Sequence, residues 1–456
     1  MKKLAILLSL IITVTATFGQ STGESTEKDN SRALQYFRKP GYEGLNVFET
    51  PKEKGVEYDG VDVRLGGDFA LQFQGLNHSN ASGAPQLIEL GNNINLPTAN
   101  LNLDVQLQRG MRLHLRTYLS SRHHPDSWVK GGYLQVDRLD FLKEGMASDF
   151  MDIATFRTGV DELNYGDVHF RRSDNATTIY NPFVGNYIMD AFTTEPFLEI
   201  NLQPGDFIIV GGLSNGLLNP TVNKAVTQWG TGEYLGTAEW KNTLYGKLGI
   251  DKQVNNNLRV RLTGSFYSAP GADNGDHLYG GDRAGSRYYD VFGYIAADSS
   301  SVNTDFTSGR FNPGFAKETA FQINPFVKFG GLEFFGVFEQ TMGNNGEDNR
   351  EDGKFTQIGA ELLYRFGSWD QFYVGGRYNS VSGHDEYAEG GDEPDTKKID
   401  RINFGGGWFM TKNTLVKLEY VKQQYNENFA NPWTGAPSNI TEGQFSGIVL
   451  EAVIGF

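Results

Sequence analysis

The residues of this chain that could do chemistry recur at every second position. Arg259 and Arg261 flank Val260, Arg112, His114 and Arg116 alternate with Leu113 and Leu115, Arg377 precedes Tyr378, Arg401 precedes Ile402, and Lys417 stands between Val416 and Leu418. A period of two places such residues on one face of a strand. The carboxylates Asp68, Asp104, Glu333, Glu361 and Glu419 are expected on that same wet side. Opposed charges on one face can brace one another as struts, or set a field across a constriction that orients passing solutes. In the second case, neutralising Arg259 and Arg261 changes ion selectivity.

Catalytic patterns are missing. The seven histidines, His78, His114, His123, His124, His169, His277 and His384, show no metalloprotease spacing. No nucleophile elbow of the Gly-x-Ser-x-Gly type is read. The acidic stretches Glu347 to Asp352 and Asp385 to Asp395, like Asp273, Asp276 and Asp282, do not match the EF-hand pattern. They read instead as solvated loops that carry much of the net charge of -15. A pI near 5.0 argues against a basic nucleic-acid-binding domain. No enzyme activity, cofactor or metal is expected.

The elements that must position these charges are strands. In Val61 to Gln74, Val63, Leu65, Phe69, Leu71 and Phe73 alternate with Asp62, Arg64, Asp68, Gln72 and Gln74. Leu101 to Leu107 and Met111 to Leu119 repeat the alternation on either side of Arg109-Gly110, which reads as a hairpin of membrane-strand length. Beyond the first residues no apolar run of about 18 supports a transmembrane helix. The 56 Gly, 32 Phe and 21 Tyr in 456 residues without Cys suit a closed antiparallel barrel with aromatic girdles. Charge on the lipid face costs about 2 to 4 kcal/mol per Arg or Lys at midplane, so the basic residues turn inward. Arg112, Arg116, Arg259, Arg261, Glu361, Arg377, Arg401 and Lys417 are thus the candidates for lining a pore.

Connections supply a separate count. Tight turns fall at Arg109-Gly110, Gln203-Pro204-Gly205, Asn255-Asn256, Gly330-Gly331, Gly367-Ser368 and Lys412-Asn413, with a looser one near Lys143 to Ser148. Long polar loops fall near 76–98, 121–129, 161–189, 215–232, 268–315, 343–352, 382–398 and 427–442. Seven turns and eight loops predict an all-β, up-and-down transmembrane barrel of sixteen strands, with fourteen or eighteen as alternatives. A strand over Tyr288 to Ala296 is what would raise the count to eighteen.

Met1-Lys2-Lys3 followed by apolar Leu4 to Val14 reads as a signal peptide over 1–19, which leaves a periplasmic segment over 20–60 and the barrel over 61–456. The aromatic part of that segment, with Tyr36-Phe37 and Phe48, is open to three readings: a plug for the barrel mouth, a docking site, or a linker. The loop from Asp161 to Met189 is the candidate constriction, through Arg171, Arg172, Asp174, Tyr180 and Tyr187; it either folds inward or caps the surface.

The signal segment, the Val61 to Gln74 strand, the loop Tyr165-Gly166-Asp167 through Phe170-Arg171-Arg172-Ser173-Asp174-Asn175 to Tyr187, and the last strand ending at Phe456 together resemble porin-type outer-membrane proteins of Bacteroidota. The resemblance implies a cell outer membrane location amid lipid and lipopolysaccharide, with the strand ending at Phe456 read by the barrel-assembly machinery. It also implies a homotrimer or a place in an outer-membrane complex. Two functions stay open: a porin for passive diffusion of small polar or charged solutes, and an accessory or structural barrel of a larger assembly, secretion or uptake complex.

Overall fold

The computed structural model describes residues 33–52, 55–81, 86–121, 126–216, 225–227, 234–237, 242–270, 278–280, 288–295, 302–304, 309–346, 349–426 and 442–456. The signal segment, His123, His124, His277, Asp273, Asp276, Asp282 and the Glu347-Asp348 pair lie outside them.

Alternation of apolar and polar residues builds sixteen antiparallel strands that close into one barrel. In chain order these are β1 (Asp62–Ser79), β2 (Asn93–Gln108), β3 (Met111–Leu119), β4 (Trp128–Val136), β5 (Ala154–Glu162), β6 (Thr194–Leu202), β7 (Phe207–Ser214), β8 (Thr243–Asn255), β9 (Leu258–Ala269), β10 (Lys317–Phe329), β11 (Leu332–Asn344), β12 (Gly353–Phe366), β13 (Phe372–His384), β14 (Lys397–Thr411), β15 (Thr414–Tyr425) and β16 (Gln444–Gly455). Every strand pairs with its chain neighbours, and β1 pairs with β16 from Asp68↔Gly455 to Ser79↔Gln444. Phe456 finishes the seam, exchanging backbone hydrogen bonds with Gly67 at 2.9 and 3.0 Å. Closure leaves no unpaired edge, which lipid would not tolerate.

Six tight turns and the eight loops fall where the turn residues of the sequence place them, while the looser connection near Lys143 to Ser148 spans 137–153 and holds a helical turn at Ser148–Met151. Gly110, at φ +65°, shows why the β2–β3 turn needs glycine: a Cβ there would meet Arg138 at 2.3 Å. The eighteen-strand alternative fails because Gly293–Ile295 pairs with Val302–Thr304 in a hairpin of its own, outside the barrel ladder.

Outward-facing Leu65, Leu101, Leu248, Leu362 and Phe404 are more than half exposed and form an apolar belt. The inward positions between them are polar and buried, including Asp104, Asn379, Gln357 and Glu451. An empty tube would leave these groups exposed to water, so their burial means that the interior is occupied.

Candidate functional site

Most of that occupant is the connection between β5 and β6, residues 163–193, which enters the barrel and crosses it to the opposite wall. Two one-turn 3-10 helices, Val168–Arg171 and Thr178–Tyr180, let so short a chain fold back on itself. Gly166, at φ +64°, starts the fold in left-handed backbone that glycine adopts without strain. Arg171 reaches across to Glu333 at 2.9 Å and Glu361 at 2.5 Å. Within the loop, Arg172 grips Asp190 at 2.9 Å, while Asp174 takes Lys130 of β4. Tyr180 donates to the Lys39 carbonyl at 2.9 Å, and the Tyr187 ring lies 4.5 Å beneath the Arg377 guanidinium.

The far wall answers with groups aimed at the loop backbone. Arg377 donates to the Gly185 carbonyl at 2.7 Å, Arg401 to the Asn186 carbonyl at 2.5 Å, and Lys417 to the Thr178, Asn181 and Phe183 carbonyls at 3.2 Å. Glu419 accepts from the Val184 N–H at 2.7 Å and Asn379 from the Ile188 N–H at 2.6 Å. Each bond satisfies a buried backbone group for which irregular chain offers no ladder partner. A second layer comes from the β9–β10 connection, where Tyr288 donates to Glu419 at 2.6 Å and Phe311 N–H to the Ile188 carbonyl at 2.8 Å.

From the short-turn rim the N-terminal segment closes in as well. Tyr42 N–H donates to the Lys412 carbonyl at 2.6 Å and Gln35 accepts from Gly110 N–H at 2.9 Å, so the segment runs over two of the turns. It sends Asn46, Phe48 and Glu49 inside. Arg261 on β9 then joins three pieces of chain, holding Glu49 of the segment at 2.7 Å, Asp167 of the loop at 2.8 Å and Asp251 of β8 at 3.1 Å. Lys247 reinforces it, 2.9 Å from Asp167. Burial raises the pKa of both carboxyls, but the positive charges of Arg261 and Lys247 outweigh it and hold Glu49 and Asp167 below the ordinary value.

Along the β1–β6 side the interior is not filled. A cavity of about 170 Å³ remains, lined by Arg38, Arg64, Arg112, Arg116 and Arg157 with Asp104, Asp161, Glu162, Glu199 and Glu49, and by aromatic rings that include Phe37, Tyr133 and Phe170. The eight candidate lining residues therefore divide. Arg112 and Arg116 face the cavity. Glu361, Arg377, Arg401 and Lys417 lie sealed beneath the loop they hold, and Arg261 is buried in the three-way junction. Arg259 is a quarter exposed and pairs with Asp251 at 2.6 Å. Sequence reasoning missed Arg38, Glu49, Arg157, Asp167 and Lys247. The only signal for Arg38 and Glu49 was aromatic residues in a segment otherwise read as polar.

Ser214 needs a separate word, because Gly212-Leu213-Ser214-Asn215-Gly216 does spell Gly-x-Ser-x-Gly. It ends β7, and its hydroxyl donates to Glu195 with no histidine partner among the described residues, which is not the arrangement of a nucleophile elbow. Among the described residues, no group of three or more His, Cys, Asp or Glu is placed to hold a metal ion.

No family model and no curated protein matches the sequence. Among solved structures, a loop L8 deletion mutant of OmpT, an outer membrane protein of Vibrio cholerae, aligns over 87% of this chain and 100% of its own at 10% identity, with a TM-score of 0.50. The chain has the fold of an outer-membrane porin. The anion-selective porin from Comamonas acidovorans covers 87% of this chain and 100% of its own at 11% identity and a TM-score of 0.49. The outer membrane channel DcaP of Acinetobacter baumannii covers 88% of this chain and 99% of its own at 11% identity and a TM-score of 0.48. At such identities the likeness is one of fold, and what the porin-type barrel does must be argued from its own interior.

Proposed function

We propose that the protein is an outer-membrane porin that admits small polar or charged solutes by passive diffusion along the β1–β6 side of its interior. The observation that carries this reading is the cavity itself: beside the tightly filled loop it leaves about 170 Å³ of open space against a charged, hydrogen-bonding wall. No bond need be made or broken, only a hydrated path with modest binding. The apolar belt sets the barrel in lipid, and the strand ending at Phe456 is the part that the assembly machinery would read.

Single-channel recording of the purified barrel in a planar bilayer tests it. Small, steady steps are expected, well below those of an unobstructed tube. A silent bilayer, with folding shown by heat-modifiable gel migration, would refute it.

The extent of the filling favours a second reading, an accessory barrel in a larger outer-membrane assembly. Arg171, Arg377, Arg401 and Lys417 lock the loop in place more firmly than diffusion requires. Purification from native membranes separates the two: a homo-oligomer alone supports the porin, and a stoichiometric foreign subunit supports the accessory barrel.

A further inference from the structure

The cavity wall carries five arginines and five carboxylates, but they are not paired one to one. Asp104 pairs with Arg112 at 2.6 Å, Asp161 with Arg116 at 3.4 Å and Glu199 with Arg157 at 3.4 Å. Glu49 is taken by Arg261 from outside the cavity, and Glu162 faces His169 at 3.5 Å and accepts from Asn175 at 2.8 Å. Two guanidiniums are left over. Arg38 donates to the carbonyls of Gly44 and Phe170 at 3.1 and 3.3 Å and stacks on Tyr180 at 3.7 Å, with no carboxylate. Arg64 has no ion pair among the described residues and lies 5.2 Å from the centre of the Phe37 ring, which Arg112 also approaches at 5.1 Å.

We propose that this cavity is a binding site for one small organic monocarboxylate, whose negative charge Arg38 and Arg64 neutralise while its apolar part rests among Phe37, Tyr180 and Phe170. Guanidiniums in a partly dry pocket require a counter-charge, and a carboxylate matches their planar fork. Further donors stand ready on the same wall, because Arg112 Nε and Arg157 Nε are buried without a partner among the described residues. One oxygen of Asp104 is unpartnered as well, which favours a monoanion over a dianion. Apolar cavities of about 150 Å³ accept benzene, so a space of about 170 Å³ suits an anion of benzoate's size. The assignment rests on the porin reading for its biological sense, naming the class of solute that the path selects.

Titration calorimetry of the folded, full-length barrel with benzoate tests the site. Saturable one-to-one binding is expected, weaker at high salt and absent for the neutral isostere benzamide. Arg64→Gln, which removes no hydrogen bond among the described residues, and Arg38→Gln should each weaken it about tenfold, while Arg350→Gln on an exposed loop leaves it unchanged. No saturable binding to the wild type, or equal affinity in both cavity variants, would overturn the site. The two readings fail separately: a barrel that binds benzoate yet stays silent in a bilayer keeps the site and loses the porin, and one that conducts but ignores benzoate does the reverse.

Discussion

Arg261 shows what a single residue contributes to the interior. Its guanidinium is the point at which wall, loop and N-terminal segment meet, and both of its main partners are buried carboxylates. Removing one member of a buried, hydrogen-bonded charge group strands the others, at a typical cost of about 3 to 5 kcal/mol. Arg261→Ala should therefore lower the temperature of the heat-modifiable gel shift clearly, while Arg259→Ala, partly exposed and with one carboxylate partner, should shift it little. The same junction sets a pH response. Because Glu49 and Asp167 are held below their ordinary values, their contribution is complete above the normal carboxylate range, near pH 4, and is lost only as the pH falls through the lowered values. The gel-shift temperature should stay level from pH 7 to about pH 4.5 and fall only in stronger acid; a fall already at pH 6 would mean that other groups control it. From sequence, Arg259 and Arg261 looked alike. Parity along a strand fixes which face a side chain takes but carries nothing about depth, and depth here depends on whether Glu49 and Asp167 arrive from distant parts of the chain.

At the scale of elements, legibility followed periodicity. The strands, tight turns and long loops could be counted because lipid outside and water inside impose a period of two, and because Gly, Asn and Pro mark the reversals. Residues 163–193 have no such signature. They are buried almost continuously whatever their polarity, with Val184, Asn181, Asp190 and Arg172 alike, because partners on the far wall or within the loop itself satisfy the polar groups. Loop length and the cluster of Arg and Tyr suggested a constriction; the inward direction was set by contacts more than 150 residues away in sequence, such as Arg171 with Glu333 and Glu361. Deleting Arg171 to Gly185 should raise single-channel conductance several-fold, since it removes the main obstruction and leaves the ladders intact. Unchanged conductance would show that the solute path avoids the loop altogether.

Considered whole, the molecule is a tube filled unevenly. Tyr288, Phe292, Phe311 and Phe445 pack with the loop on one side, while the cavity on the other keeps a charged wall. The aqueous path we propose runs along β1 to β6, and the chain offers a direct way to see it because it contains no Cys. Asn102 on β2 lines the cavity, whereas its neighbour Leu101 points outward and is 52% exposed to the lipid side. Single-cysteine variants at these two positions differ by one step in the strand and by opposite sides of the wall. A charged, membrane-impermeant thiol reagent should modify Asn102→Cys and reduce conductance as it does so. Leu101→Cys should resist that reagent and react only with a lipid-soluble one, without a change in current. If the reagent spares Asn102→Cys but modifies Tyr187→Cys, on the loop where it meets the far wall, the water path lies on the far side and the eccentric channel is wrong. Buried as Tyr187 is between Arg377 and Phe335, it should instead stay protected unless Arg171 to Gly185 is deleted.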